Sequence, residues 1–236
     1  MNIILLEPGD WIDPNTVRLN DYRHRHMTEV LKVTPGQTLR VGLVNGDCGT
    51  GMVSQVEQDA TQLTVALEEN QQLPRHPLTV ILALPRPKML RRVLRTCAEF
   101  GVGELHLIHS YRVEKSFWQS PLLQDARIAE ALRAGMERSG DPIMPKVVQH
   151  KRFKPFIEDA LPVIAGSDPI YCLHPGNTQP LADRPAGHAT VLLGPEGGFI
   201  PFEVQLAQAQ GAVLRTLGER ILSVDTAVNA ALAQTL

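Results

Sequence analysis

Between Thr38 and Glu68 apolar and polar residues alternate in three short runs, TLRVGLV, GMVSQVE and TQLTVALE, interrupted by Asn45-Gly46 and by Gly49 and Gly51. Period-two alternation broken by Asn-Gly turn chemistry predicts strands joined as hairpins. Ahead of them HMTEVLKV, His26 to Val33, predicts a short helix ended by Pro35-Gly36. These segments make a compact β-rich module. The proline-containing polar stretch QQLPRHP, Gln71 to Pro77, is the linker candidate that follows.

Beyond the linker the rhythm changes. LTVILAL (Leu78 to Leu84) leads through Pro85-Arg86-Pro87 into a helix from about Lys88 to Phe100. Strands are predicted at ELHLIH, IYCLH, ATVLLG and AVLRTL, and helices near Leu122 to Arg138, Pro201 to Gln210 and Asp225 to Gln234. Such strand-helix alternation predicts an α/β fold with a parallel sheet covered on both faces. Two domains are expected, 1–72 and 73–236, with no internal repeat and no low-complexity segment.

Composition narrows the class. The 236 residues are 43% hydrophobic and 20% charged, ordinary for a globular protein with a sizeable core. The start, MNIILLEPGD, has a short apolar run and no basic region, and no stretch approaches a membrane span, so a cytoplasmic protein is expected. Cys48, Cys97 and Cys172 lie far apart with no CxxC pair, which predicts neutral or buried thiols and neither disulfide nor zinc site. A formal net charge of -2 argues against coating nucleic acid through bulk charge but leaves room for local basic patches.

The sharpest feature is Gly194-Pro195-Glu196-Gly197-Gly198-Phe199, directly after ATVLL and before a helix opening with Pro201. Glycines at the carboxyl end of a strand let backbone approach a ligand closely, and open α/β sheets bind ligands at that edge. A tight turn without a ligand fits the same residues. The pattern is neither GxGxxG nor a phosphate loop, since no GK[ST] follows. Glu196 would repel a pyrophosphate and suits a ligand with a positive centre, such as a sulfonium. The second feature is Leu217-Gly218-Glu219-Arg220-Ile221-Leu222-Ser223-Val224-Asp225-Thr226-Ala227, a strand end and loop feeding the last helix.

GPEGGF followed by LGERIL and DTA resembles the signature of the RsmE family, of the SPOUT class, whose members methylate N3 of a uridine in small-subunit ribosomal RNA. LALPRPKMLRRVLRTCAEFGV, SYRVEKS and the Met144-Pro145 region resemble the family too, so the likeness covers most of the chain. It implies a PUA-like RNA-binding β domain over 1–72 and a SPOUT methyltransferase domain with a C-terminal trefoil knot over 73–236. It also implies S-adenosyl-L-methionine as cofactor, a homodimer, and 16S ribosomal RNA, in a 30S subunit or its precursor, as partner. Carried over to this chain, the cofactor-binding residues are Leu173 and His174, then Gly194, Glu196, Gly197 and Gly198, then Leu217, Gly218, Ile221, Leu222 and Thr226. Ser223, Asp225, Arg138 and Gly140 depart from the family pattern, and its N-terminal Arg-x-Phe is missing.

Methyl transfer needs nucleophile and methyl held within attack distance. Uridine N3 carries a proton at pH 7, so the expected catalytic residues are Arg220, to stabilise the developing anion or a phosphate, and Glu196 or Asp225, to accept the proton. A solvated surface role for Arg220 and an N-cap role for Asp225 stand beside these. Lys88, Arg91, Arg92 and Arg95 share one helix face opposite Leu90, Val93, Leu94 and Cys97. They are expected RNA contacts, with Arg112, Arg23 and Arg25. Arg18 and Lys32 extend the N-terminal patch, with His24 and His26 on the same surface and no metal there. Tyr111, Arg112, Lys115, Phe117 and Trp118 suit stacking on unpaired bases, or packing against the sheet. Two other readings fit the same residues: an RNA-binding ribosome-assembly factor with little turnover, and a SPOUT methyltransferase acting on another RNA.

Overall fold

The computed structural model describes residues 1–69, 73–176 and 178–236. Gln71 and Gln72 of the linker candidate, and with them the expected boundary at 72, lie outside the described residues. The chain folds as two compact units, Met1–Pro74 with Arg133–Met144, and Arg75–Leu132 with Pro145–Leu236. Periodicity does not reveal that 133–144 joins the first unit, because long-range bonds put it there. Asn2 donates to the Glu137 carbonyl, Asn45 to the Pro142 carbonyl at 2.9 Å, and Met144 to the Asn45 side chain at 2.9 Å.

The first unit is built on a six-stranded sheet. Its strands are β1 (Ile4–Leu6), β2 (Trp11–Asp13), β3 (Thr16–Leu19), β4 (Thr38–Leu43), β5 (Cys48–Val56) and β6 (Thr61–Glu68), in the order β1-β4-β5-β6-β3-β2. Only β1 and β4 run parallel. Ile4, Leu6, Val17, Leu19, Met27, Val41, Val53 and Leu63 form its core. The long alternating strands β4 to β6 follow the sequence pattern, whereas β1 to β3 are too short to show one. Gly49 and Gly51 sit within β5 instead of in the turn. A Cβ on Gly49 would stand 2.0 Å from the Ala66 carbonyl oxygen, so that glycine serves the close approach of β6. The helix expected from His26 starts earlier, as α1 (Tyr22–Arg25), and runs on as a π-helical turn to Val30. The Asp21 side chain caps it by accepting from the Arg23 amide.

The second unit carries a six-stranded, wholly parallel sheet. Its strands are β7 (Leu78–Ala83), β8 (Glu104–Ile108), β9 (Lys146–His150), β10 (Ile170–Leu173), β11 (Ala189–Leu193) and β12 (Val213–Arg215), in the order β12-β10-β11-β7-β8-β9. Every residue of β7 and β11 is buried, the continuous apolar run expected of central parallel strands. Helix α2 (Pro87–Glu99) buries Leu90, Val93, Leu94 and Cys97. Helix α3 (Asp125–Ser139) follows two 3-10 turns, Lys115–Gln119 and Pro121–Leu123. Strand β9 and the helical stretch of α4 (Phe153–Pro155) and α5 (Leu161–Ala165) have no counterpart in the sequence pattern. Helices α6 (Pro201–Ala209) and α7 (Val224–Ala233) match the expected ones within a residue.

The return path after β11 positions the site. The chain runs through α6, passes β10 to pair β12 on its far side, and comes back as α7 against β11 and α2. Cys48, Cys97 and Cys172 are free and buried. Burial pushes the Cys97 thiol up to about 12, and burial with the nearby Glu203 charge does the same for Cys172. No helix among the described residues is long and apolar enough to cross a membrane.

Candidate active site

Strands β12, β10 and β11 are neighbours and parallel, so the segments leaving their carboxyl ends meet on one edge of the sheet. Those segments are 174–175, 194–199 and 216–222. They enclose a cavity of about 220 Å³ lined by Leu173, His174, Pro175, Leu193, Gly194, Pro195, Glu196, Gly197, Gly198, Phe199, Thr216, Leu217, Gly218, Arg220, Ile221, Leu222, Val224 and Ala227.

Local bonds set the shape of each wall. The Gly198 amide donates to the Pro195 carbonyl at 2.8 Å, closing a turn in which Gly198 takes φ +71°. Gly194 meets that turn so tightly that a Cβ would lie 3.2 Å from the Phe199 nitrogen. Across the cavity Gly218 takes φ +121°, its amide donating to Thr216 Oγ1 at 3.2 Å while that hydroxyl donates to the Gly218 carbonyl at 2.8 Å. The His174 amide donates to the Arg215 carbonyl at 2.9 Å and joins the first wall to the third.

Two residues tie a fourth segment to the Gly194–Phe199 loop. Arg112 donates to the Gly197 carbonyl. Glu203, in α6, is only 3% exposed, and its carboxylate accepts from the Tyr111 amide at 2.7 Å and the Ile200 amide at 3.0 Å. Sequence reasoning missed Glu203. Its local signal is an acidic residue at the third position of a helix opening with Pro201, which reads as an N-terminal cap and says nothing of the Tyr111 amide.

Ten of the eleven expected cofactor-binding residues line the cavity, and Thr226 does not. Thr226 Oγ1 bonds Ser223 Oγ at 2.9 Å instead. Of the expected catalytic residues Arg220 and Glu196 line the cavity with exposed side chains. Asp225 is not among the lining residues. It accepts from Ser223 Oγ at 2.7 Å and from Arg92 at 3.1 Å. The Ser223 hydrogen bond, against partial desolvation and with help from Arg92, holds its carboxyl below the usual range. The N-cap position of α7 belongs to Ser223, so Asp225 is the second residue of the helix. Ile221 is 89% exposed at the cavity mouth.

The expected RNA contacts divide. Lys88, Arg91 and Arg92 are exposed on α2 and Arg95 is partly so, opposite the buried face. Arg112 and Arg25 are exposed. Arg23 is not available to RNA: it is 7% exposed, pairs with Asp10 at 2.6 Å and Asp21 at 2.8 Å, and donates to the Leu5 carbonyl at 2.7 Å. A buried guanidinium with every edge engaged holds the fold together. His24 is likewise interior, bonded to Thr61 at 2.8 Å, and Arg18 pairs with Glu57 and Asp59. Tyr111 is 78% exposed. Trp118 is half-buried and donates to His109 Nδ1 at 2.9 Å.

The donor set of the cavity fits S-adenosyl-L-methionine. Leu173, Leu193, Leu217, Ile221 and Leu222 supply apolar faces for a purine. Glycine backbone at 194, 197, 198 and 218 forms part of the lining, and Glu196 is the one carboxylate on it, suited to a sulfonium. No cluster of three His, Cys, Asp or Glu suited to a metal occurs among the described residues.

The family model of the RNA methyltransferase domain matches residues 71–236. A ribosomal RNA small subunit methyltransferase E from Treponema pallidum (strain Nichols) is 27% identical over 241 residues, covering 100% of this chain and 91% of its own. A protein of the same name from Synechocystis is 27% identical over 227 residues, covering 93% of this chain and 72% of its own. Among solved structures, ribosomal RNA small subunit methyltransferase E from Neisseria gonorrhoeae bound to S-adenosyl methionine superposes with TM-score 0.79 at 24% identity, over 99% of this chain and 95% of that one. That likeness gives the fold as the α/β SPOUT type, preceded by a β-rich N-terminal domain.

Proposed function

Because the chain belongs to the family of RNA methyltransferase domains, we propose that it methylates N3 of a uridine in 16S ribosomal RNA, with S-adenosyl-L-methionine as donor. The observation that carries the reading is the meeting, in one mainly apolar cavity, of the segments following β10, β11 and β12. The names of the relatives supply the substrate class.

The cofactor, when bound, supplies a methyl group on a positively charged sulfonium. The chain's own residues do the rest. Leu173, Leu217 and Leu222 exclude water, and the backbone of residues 194–198 and 217–218 fixes orientation. Glu196, exposed on the lining, accepts the N3 proton, and Arg220 stabilises the negative charge that develops on the uracil. Glu196 is preferred to Asp225 as acceptor, because Asp225 is held by Arg92 and Ser223 and its carboxyl is a weaker base than usual.

In this reading the first unit, with its six-stranded mixed sheet, is a PUA-like RNA-binding domain and the second is the methyltransferase domain. The protein would act in the cytoplasm as a homodimer on a 30S subunit or its precursor. Exposed Arg25 and Lys32 support the first point, and exposed Phe202, Val213 and Ile221 offer apolar surface for a second copy.

The test is mass spectrometry of ribosomal RNA nucleosides from cells with and without the gene. N3-methyluridine should vanish on deletion and return with the wild-type gene, and it should not return with Gly197→Glu. A Cβ on Gly197 already meets Arg112 Cδ at 3.0 Å, so a glutamate there would displace the side chain bonded to the Gly197 carbonyl and put a second carboxylate beside Glu196. An unchanged nucleoside level would overturn the reading in favour of a binding factor.

A further inference from the structure

A second hollow, of about 380 Å³, lies where α2 meets the start of α3. Three cations, Lys88, Arg91 and Arg127, line it over an apolar floor that includes Pro121 and Leu122. Glu130 accepts from Arg127 at 2.8 Å through one carboxylate oxygen and from Arg91 at 3.4 Å through the other. Arg127 and Arg91 are each about half exposed, 59% and 47%. One carboxylate thus holds two guanidiniums side by side and offsets part of their repulsion. Two net positive charges remain over the hollow, and each arginine keeps N–H groups free of Glu130.

We infer that this hollow binds one phosphodiester of the RNA substrate, held jointly by Arg91 and Arg127, with the adjoining unpaired nucleotide lying over Pro121 and Leu122. Planar guanidinium forks recognise phosphate bidentately, which a scattered lysine face does not. The Arg127–Glu130 pair makes Arg91 part of a built subsite instead of one charge in a solvated stripe. Lys88 adds a point charge to the same anion. The inference rests on the RNA-methylating reading, and names where the substrate chain is gripped away from the cofactor cavity.

The experiment measures binding of a fluorescently labelled, unpaired RNA oligonucleotide to the full chain across a salt series. Wild type, Arg91→Gln, Arg127→Gln and the double variant are compared, with inorganic phosphate as competitor. Losing one single-stranded phosphate contact should reduce the slope of log affinity against log salt by about 0.7. Because both arginines hold the same phosphate, the double variant should lose clearly less than the sum of the singles. Affinity for S-adenosylmethionine should stay at the wild-type value, showing that the fold is intact. An unchanged slope in Arg127→Gln, or strictly additive losses, would overturn the inference. Equal competition by millimolar inorganic phosphate and by RNA would also overturn it, because the hollow would then take a free anion. Failure of the methylation reading looks different: the N3-methyluridine level would not change on deletion of the gene, while the salt-dependent binding and its loss in the variants persist.

Discussion

Glu203 gives the sharpest mutational test of how the cavity is held. Its carboxylate is 3% exposed and satisfies two backbone amides, that of Ile200 at the start of its own helix and that of Tyr111 from a distant segment. A hydrogen bond to a charged acceptor contributes about 1.5–3 kcal/mol, so Glu203→Ala should cost roughly 3–6 kcal/mol. That is a large share of a total stability of about 5–15 kcal/mol. Glu203→Gln keeps one carbonyl oxygen as acceptor and turns an NH2 toward the other amide, so it should lose about half as much. The flanking residues are Arg112, which donates to Gly197, and Phe199, on the cavity wall. Loosening should therefore weaken cofactor binding as well. Guanidinium denaturation, amide exchange at Tyr111 and Ile200, and calorimetric titration with S-adenosylmethionine read the three effects. Wild-type denaturation midpoint and wild-type protection of both amides in Glu203→Ala would refute the reasoning.

Two further outcomes are expected. Arg23→Ala leaves Asp10, whose side chain is 12% exposed, without its partner, and should destabilise by about 3–5 kcal/mol in urea denaturation. A stable Arg23→Ala protein with weakened RNA binding would show instead that Arg23 meets RNA. Stability should also fall on acidification through the histidine range. Burial lowers His106, partly offset by its Glu104 hydrogen bond, and burial and His106 lower His150; the two rings bond each other at 3.1 Å. Because both folded-state values lie below the unfolded one, about 6.5, the unfolded chain binds more protons there. The stabilisation is thus full above that value and is lost as pH drops through the folded values. Denaturation midpoints at pH 7.5 and 5.5 check this, and His106→Asn should flatten the difference; equal midpoints in wild type would contradict it.

The amino-acid sequence by itself determined those features whose causes are local. Asn45-Gly46 and the alternation around it specify the hairpins of β4 to β6, and the continuous apolar runs of β7 and β11 specify central parallel strands. The periodic cations of α2 specify its exposed face. Gly194, Gly198 and Gly218 mark the tight turns of two walls, which is why most of the residues singled out in the sequence fall on one cavity. Tertiary structure alone decided what depends on partners far away in the chain. Arg23 and Arg25 look alike in sequence, yet Asp10 and the Leu5 carbonyl draw one inward and leave the other in solvent. Glu203 caps its own helix through the Ile200 amide three residues back, but its bond to the Tyr111 amide, 92 residues away, follows from no spacing. Asp225 is paired with Arg92, 133 residues earlier. The pairing of β12 beyond β10 decided that three separate motifs share one cavity. The physical reason is range: turn chemistry and periodicity act over a few bonds along the chain. Burial, ion pairing and strand order come from contacts whose sequence separation carries no pattern.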